Sequence, residues 1–172
     1  MSNAIDHVHF MRLALNEARK CTATPTAFCV GAVLTLRCAN DPSTTVLATG
    51  YSRELPGNTH AEANALVKAR ALSPEALRTL IPTIPSDVDI GTILSEAEMY
   101  TTMEPCSVRT SGLAPCADAL IAANIRKCYI GVGEPDDFVK CEGAQRLVNA
   151  GIAVEWIKGL EEECLKAARL GH

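Results

Sequence analysis

Apolar and polar positions change their spacing several times along the chain, and each change marks a predicted element. Apolar residues recur at helical spacing over residues 6–20, which predicts a helix there. Residues 28–36, FCVGAVLTL, form a continuous apolar run typical of a buried strand. Residues 44–51, TTVLATGY, predict a second strand, and the turn signal ANDPS over 39–43 joins the two as a hairpin.

The middle of the chain is less regular. A helix is predicted over 60–72, with Asn58 or Thr59 as its N-cap. The stretch 73–95 contains three prolines, so it predicts an irregular insertion with one short helix near 74–80.

The second half of the chain alternates between strand and helix patterns. The predicted elements are strand 97–103, helix 114–125, strand 127–133, helix 142–151, strand 152–157 and helix 160–170. Such alternation implies parallel strands joined by crossover helices, whereas the early hairpin adds an antiparallel pair. The sequence therefore predicts an α/β fold with a mixed five-stranded sheet covered by helices on both faces. We expect one domain over residues 1–172, because no repeat or domain boundary is visible.

Composition narrows the classes of partner. The net charge of −4 provides no general attraction to a nucleic-acid backbone, so no nucleic-acid partner is expected. No apolar run approaches the length of a membrane span, so no membrane partner is expected, and the first residues do not follow a secretory-signal pattern. Eight cysteines in such a chain predict free thiols in a reducing compartment, the cytoplasm.

Two stretches carry candidate chemistry. HAEANAL places His60 two residues before Glu62 at a predicted helix start, and MEPCSVRTSGLAPC holds Cys106 and Cys116, each after a proline. A catalytic zinc site usually has three protein ligands and one open position for water. His60, Cys106 and Cys116 supply that set, with one zinc ion per chain. Glu62, beside the water, would then move protons between water and substrate.

Each motif alone has a plainer interpretation, because His-x-Glu often marks a solvated helix start and cysteines are often buried fillers. Their combination follows the zinc nucleobase deaminase signature, His-x-Glu followed by Pro-Cys-x-x-Cys, except that residues 107–115 lengthen the interval between the cysteines. Two alternatives stay open. One is a deaminase of a free base, pterin, nucleoside or tRNA base, and the other is a non-catalytic, zinc-stabilised binding module.

Five blocks, MRLALNEA, VGAVL, THAEANAL, YTTMEPCS and PCADALI, resemble those of the cytidine-deaminase-like superfamily, in the same order. Within it, the long PCSVRTSGLAPC interval is similar to the fungal type of riboflavin-biosynthesis pyrimidine deaminase. The resemblance implies a three-layer α-β-α fold and a homodimer. It also implies zinc-dependent hydrolytic deamination at C2 of 2,5-diamino-6-ribitylamino-4(3H)-pyrimidinone 5′-phosphate, by attack of zinc-bound hydroxide with Glu62 as the proton shuttle.

A phosphorylated pyrimidine substrate needs further contacts. Arg109, Thr110 and Ser111 offer a guanidinium and two hydroxyls that suit a phosphate, although a solvated loop is the plainer interpretation. Asn58 either faces the base or only caps the helix, and Phe28 either packs against the substrate or belongs to the core. The predicted substrate contacts are Ser52, Arg53, Glu54, Asn58, Ala61, Glu104, Arg109, Thr110 and Ser111.

Overall fold

A computed structural model describes residues 6–38, 43–85, 87–135 and 140–172. The strands are β1 (Gly31–Arg37), β2 (Thr44–Tyr51), β3 (Ala97–Met103), β4 (Lys127–Val132) and β5 (Ala153–Trp156). The helices are α1 (His7–Ala18), α2 (Ala61–Arg70), α3 (Pro74–Leu80), α4 (Ile90–Glu96), α5 (Cys116–Ala122), α6 (Gly143–Asn149) and α7 (Glu161–Ala168). Apart from Ser43, the predicted turn over 39–43 lies outside the described residues.

The five strands form one mixed sheet in the order β2-β1-β3-β4-β5. Strand β1 runs antiparallel to both β2 and β3, whereas β3, β4 and β5 are mutually parallel. The predicted hairpin and the predicted parallel half of the sheet are both confirmed. Helix α5 connects β3 to β4 and helix α6 connects β4 to β5, and the two helices contact each other.

Helices cover both faces of the sheet and make three layers. Helices α1 and α7 contact β1, β3 and β4 on one face, where Met11, Leu15 and Tyr100 are fully or almost fully buried. Helices α2, α5 and α6 lie on the other face over an aliphatic core that includes Leu34 and Ile130. The predicted α-β-α architecture is confirmed. None of the helices in the described part of the chain is long and apolar enough to cross a bilayer.

Strand β1 begins three residues later than the apolar run predicts. The run starts at Phe28, but the backbone of Cys29 donates to Ala168 O at the end of α7, and Val30 N donates to the Ser52 hydroxyl. These amides are therefore used outside the sheet, and the ladder begins at Gly31. The prediction of a strand from residue 28 was wrong, and the three residues instead form an irregular wall.

The N-cap of α2 also differs from the prediction. His60 holds that position with an extended backbone and makes no side-chain capping bond. The Thr59 hydroxyl instead donates to Leu55 O and accepts a hydrogen bond from Asn64 Nδ2. Neither Asn58 nor Thr59 caps the helix, because the loop before α2 uses its polar groups internally.

The proline-rich insertion contains a second helix that the sequence prediction missed. Helix α4 begins after Asp89, whose carboxylate accepts hydrogen bonds from Thr92 N at 3.1 Å and from the Thr92 hydroxyl at 2.6 Å. The sequence prediction treated this stretch as irregular because of its three prolines, but all three precede the helix. The predicted short helix near 74–80 is confirmed as α3.

Gly50 determines how closely α2 approaches the sheet. A Cβ atom at this position would lie 2.2 Å from Ala61 O, so only glycine permits the contact. The start of α2 therefore rests directly on β2, and this contact sets the positions of His60 and Glu62.

Candidate metal centre and active-site cavity

A cavity of about 500 Å³ opens where the carboxyl ends of β3 and β4 meet the start of α2. Side chains next to the ends of these elements line the cavity, including Glu104 after β3, Glu134 after β4 and His60 before α2. Loops that leave the same edge of a parallel sheet converge there, which is where α/β proteins commonly bind ligands.

Two residues that line this cavity, His60 and Cys106, form a candidate metal centre with the buried Cys116. Ligand atoms of His60, Cys106 and Cys116 all lie within 4.8 Å of one another. His60 Nδ1 lies 3.5 Å from Cys106 Sγ and 3.4 Å from Cys116 Sγ. Zinc bonds of about 2.3 Å to sulfur and about 2.0–2.1 Å to nitrogen, at a tetrahedral angle, separate these atoms by roughly 3.5 Å. The three residues therefore fit a zinc ion, with one coordination position left open.

The chain between the two cysteines forms a loop that leads away from the metal centre and then returns to it. Cys106 lies three residues after β3, and Cys116 is the first residue of α5. Cys116 N donates to Cys106 Sγ at 3.3 Å, and Ala117 N donates to Cys106 O at 3.1 Å. Backbone hydrogen bonds thus hold the two thiols together, whatever the length of the intervening loop.

The two thiols differ in their acidity. A hydrogen bond from the Cys116 thiol, with a further one from His60, lowers the pKa of Cys106 to about 4. The pKa of Cys116 is raised, first by the same hydrogen bond and then by burial, because Cys116 keeps the shared proton. Cys106 is thus a thiolate near neutral pH, the form in which a cysteine binds metal.

Glu62 lies beside the three ligands without being one of them. It is the second residue of α2 and only 3% exposed. Burial raises its pKa, and the nearby Cys106 thiolate adds to the effect. A buried carboxyl with a raised pKa exchanges protons near neutral pH more readily than an ordinary glutamate, as an acid–base catalyst must.

The segment at the start of α6 braces the chain on either side of Cys106. Ala144 N donates to Glu104 Oε1 at 2.9 Å, and Glu142 N donates to Ser107 Oγ at 3.1 Å. A Cβ atom at Gly143 would lie 1.6 Å from Pro105 O, so the two segments touch through their backbones.

An arginine of α6 extends this brace to α5. Arg146 Nη1 donates to Ser107 O at 2.6 Å, and Arg146 Nη2 pairs with Asp118 Oδ1 at 2.8 Å. Both ion-pair partners are partly exposed. The arginine thus links the segment after Cys106 to the helix that begins at Cys116.

Most of the predicted substrate contacts line the cavity. Those that do are Ser52, Arg53, Asn58, Glu104, Arg109, Thr110 and Ser111, and the Phe28 ring lines it as well. Arg109 Nη2 donates to Asn58 O, which folds the loop between the cysteines back over the cavity.

Arg53 has a structural task in addition to its place in the cavity wall. Its guanidinium donates to Thr22 O at 2.8 Å and to Phe28 O at 3.1 Å. Its backbone is left-handed, with φ of 64°, an uncommon conformation for a residue with a side chain. Arg53 therefore holds the wall that carries Phe28, and this use of its donors leaves fewer for a substrate phosphate.

Glu54 and Ala61, also predicted as substrate contacts, lie outside the cavity wall. The Glu54 carboxylate pairs with Lys68 and accepts a hydrogen bond from Tyr51 N. Ala61 is fully buried in the core beneath α2. Both adjoin site residues in sequence, but their side chains project in other directions.

Among the cavity residues that the sequence prediction missed, three lie after β4. Glu134, Lys140 and Cys141 follow β4 in the chain and line the cavity. Burial raises the pKa of Glu134. The convergence of loops at the carboxyl ends of β3 and β4 is the signal that could have identified them.

The chain matches the family model described as the cytidine and deoxycytidylate deaminase zinc-binding region, over residues 4–132. It is 40% identical, over 97% of its length, to the diaminohydroxyphosphoribosylamino-pyrimidine deaminase of Schizosaccharomyces pombe, and covers 36% of that protein. It is 32% identical to riboflavin biosynthesis protein RibD of Actinobacillus pleuropneumoniae, over 69% of the chain and 25% of the relative. The chain thus spans about a third or less of the length of these relatives.

Solved structures show the same likeness. A crystal structure of Aspergillus oryzae Rib2 deaminase, a C-terminal deletion mutant in complex with DARIPP, is 37% identical, with a TM-score of 0.75. That match covers 96% of this chain and 91% of the other. The deaminase/reductase of Thermotoga maritima is 28% identical, with a TM-score of 0.65, over 93% of this chain and 38% of the other.

Proposed function

This chain belongs to the family of the cytidine and deoxycytidylate deaminase zinc-binding region, and from that premise we propose that it is a zinc-dependent hydrolase. Its proposed substrate is 2,5-diamino-6-ribitylamino-4(3H)-pyrimidinone 5′-phosphate, deaminated at C2 in riboflavin biosynthesis. One observation carries the proposal: His60, Cys106 and Cys116 meet beside Glu62 in a cavity that the loop between the cysteines covers. The likeness to the DARIPP-bound Rib2 deaminase supports this choice of substrate.

The chain's own residues account for the proton transfers. A zinc ion held by His60, Cys106 and Cys116 would supply a Lewis acid that makes water at the open position more acidic. The Glu62 carboxylate accepts a proton from the attacking water and gives it to the amino group at C2. The water oxygen bonds to C2, the bond from C2 to the amino nitrogen breaks, and ammonia leaves. The remaining hydroxyl proton passes to a ring nitrogen, so that C2 becomes a carbonyl. The raised pKa of Glu62 suits both the acceptance and the release of that proton.

The outer part of the cavity suits the phosphorylated side chain. Arg109, Thr110, Ser111 and Lys140 all line the cavity, with Arg109 partly exposed and the other three exposed. Neither Arg109 nor Lys140 forms an ion pair within the described ranges, so both cations remain available to a phosphate. Ser52 and Asn58 line the same cavity, Ser52 as a buried residue and Asn58 as an exposed one, and we assign them to the pyrimidine base.

We further infer one deaminase domain over residues 1–172, a homodimer and a cytoplasmic location. The homodimer rests on the resemblance to the fungal-type deaminases. The location rests on the eight free cysteines, which suit a reducing compartment. Sedimentation equilibrium tests the dimer, and a monomer at micromolar concentration would reject it.

The decisive experiment measures zinc content and ammonia release together. Purified protein should bind one zinc ion per chain and release ammonia from the ribityl-pyrimidine phosphate. Glu62→Gln should keep the zinc and lose about 10²- to 10⁴-fold in kcat, because it removes the proton carrier but no metal ligand. Glu75→Gln, on the exposed side of α3, is the matched control and should behave as wild type.

Other outcomes would replace parts of the proposal. Full turnover by Glu62→Gln would remove Glu62 from the mechanism. Activity on another free base, pterin, nucleoside or tRNA base, with none on the phosphate, would change the substrate. A zinc ion held by four protein groups would indicate a binding module, since no position would remain for water.

A further inference from the structure

Thr101 lies in the interior of the protein directly against Glu62. It belongs to β3 and is completely buried. Its hydroxyl oxygen lies 3.1 Å from Glu62 Oε1 and 3.0 Å from the carbonyl oxygen of Met103. No other side-chain hydroxyl or amide in the described residues forms a hydrogen bond of this kind to Glu62.

The two hydrogen-bond partners of this hydroxyl differ in whether they can donate a proton. A threonine hydroxyl has one proton to donate and two lone pairs that accept. The Met103 carbonyl can only accept, whereas a glutamate side chain accepts as a carboxylate and donates as an acid. The Thr101 hydroxyl can therefore donate to the Glu62 carboxylate, or accept from the Glu62 acid while it donates to Met103. Rotation of one O–H bond exchanges these arrangements, and no heavy atom has to move.

A proton carrier needs this kind of partner. Glu62 has to hold the same place before and after it takes a proton, because the atoms that exchange protons with it do not move with it. A shift of about 1 Å in a reacting group can cost about 100-fold in rate. A partner that could only donate would favour the carboxylate, and a partner that could only accept would favour the acid.

We propose that Thr101 is a positioning residue that holds the Glu62 carboxyl group in place in both of the states through which the reaction takes it. The inference rests on the proposed function, because Glu62 acts as a proton carrier only if the chain is a deaminase. Thr101 itself does not touch the substrate, since it lies behind Glu62 and does not line the cavity.

The next residue in the strand provides a matched control. Thr102 is equally buried, but successive side chains of a strand point to opposite faces, and its hydroxyl accepts a hydrogen bond from Gly31 N at 3.1 Å. Thr102→Val thus removes the same group from the same strand without touching Glu62.

The test compares Thr101→Val, Thr101→Ser and Thr102→Val as zinc-loaded proteins. Valine keeps the shape of threonine and removes the hydroxyl, and serine keeps the hydroxyl. We expect Thr101→Val to lower kcat about 10- to 100-fold, with KM and zinc content within about twofold of wild type. Thr101→Ser should recover most of the lost kcat, and Thr102→Val should keep a kcat near wild type even where its melting temperature falls.

A readout that does not use activity separates this inference from the proposed function. Crystal structures of the zinc-bound variants should show the Glu62 carboxyl group displaced in Thr101→Val and retained in Thr101→Ser. If Glu62 keeps its place in Thr101→Val, or if Thr102→Val loses as much kcat as Thr101→Val, the inference is wrong. If wild-type protein does not turn over the pyrimidine at all, the proposed function fails, and the crystal structures still decide whether Thr101 positions Glu62.

Discussion

The inner wall of the cavity and its outer rim hold their side chains in different ways. On the inner wall, Glu62 and Cys116 are buried at the starts of helices, and the start of α6 braces the backbone around Cys106. On the rim, residues 109–111 belong to a loop, and the apolar Val108 and Leu113 that flank them are more than half exposed.

This difference in support indicates that the inner wall and the rim have different roles. Bond making requires reacting groups that stay within fractions of an ångström of their places, and helices and strands provide that rigidity. Recognition of a flexible phosphorylated chain tolerates more movement, and loops provide most of the variable binding residues in proteins. The inner wall should therefore respond to small changes with loss of metal or turnover, and the rim with changes in substrate affinity.

Removal of a ligand thiol should have the largest effect. Cys116→Ser replaces a ligand sulfur with a weakly binding hydroxyl, so zinc affinity should fall by more than about 100-fold, the upper range for residues that only support a ligand. Zinc content by mass spectrometry and a chelator competition measure this. Cys38→Ser, a partly buried thiol far from the three ligands in sequence, is the control. Equal zinc content in both variants would contradict the assignment of Cys116.

The second largest effect should come from adding one methyl group to a glycine in each of the two regions. Gly143→Ala places its Cβ 1.6 Å from Pro105 O, so we expect a loss of about 3 kcal/mol in the free energy of unfolding, with reduced zinc binding. Gly112→Ala, on the rim, meets nothing within 4 Å and suffers only from its positive φ, about 1 kcal/mol. Urea unfolding measures both variants. Similar losses, or intact zinc binding in Gly143→Ala, would show that the inner wall is not rigid.

A change of charge on the rim should alter affinity and leave chemistry in place. Arg109→Ala removes a charged hydrogen-bond donor, so KM should rise about 10-fold or more with kcat nearly unchanged. The increase should shrink at high salt, because ions screen exposed charges. Arg126→Ala, which removes an exposed arginine paired with Glu96, provides the comparison. An unchanged KM would leave the phosphate to Lys140 or to other groups.

The smallest effect should come from the partly exposed ion pair between Arg146 and Asp118. Asp118→Asn removes a partly exposed ion pair with Arg146, so stability should fall by less than about 1 kcal/mol. Arg146→Ala should cost more, because it also removes the hydrogen bond to Ser107 O. Thermal unfolding at low and high salt measures both. Equal losses in Asp118→Asn and Arg146→Ala would show that the ion pair, and not the hydrogen bond to Ser107 O, supports the segment after Cys106.

Much of the fold could be predicted because its periodic patterns are local. The five strands and the parallel second half follow from apolar runs and from strand–helix alternation, which any backbone with those patterns must accommodate. The prediction failed where a local signal competed with tertiary contacts. The run from Phe28 looks like a strand, but Ser52 and the end of α7 take the amides of Val30 and Cys29.

The residue types of the metal centre were determined by the sequence alone. The sequence shows a histidine, an acid two residues after it, and two cysteines that each follow a proline. The ability of these side chains to bind metal or move protons does not depend on how the chain packs. His60, Glu62, Cys106 and Cys116 could therefore be selected from the sequence. Only the tertiary structure decided which neighbours share their cavity. It excluded the side chains of Glu54 and Ala61 from the cavity wall, and it brought Lys140 and Thr101 to the site from distant parts of the chain. The physical reason is that ligand chemistry belongs to single residues, whereas contact across a sheet depends on strand order and on which face each side chain takes.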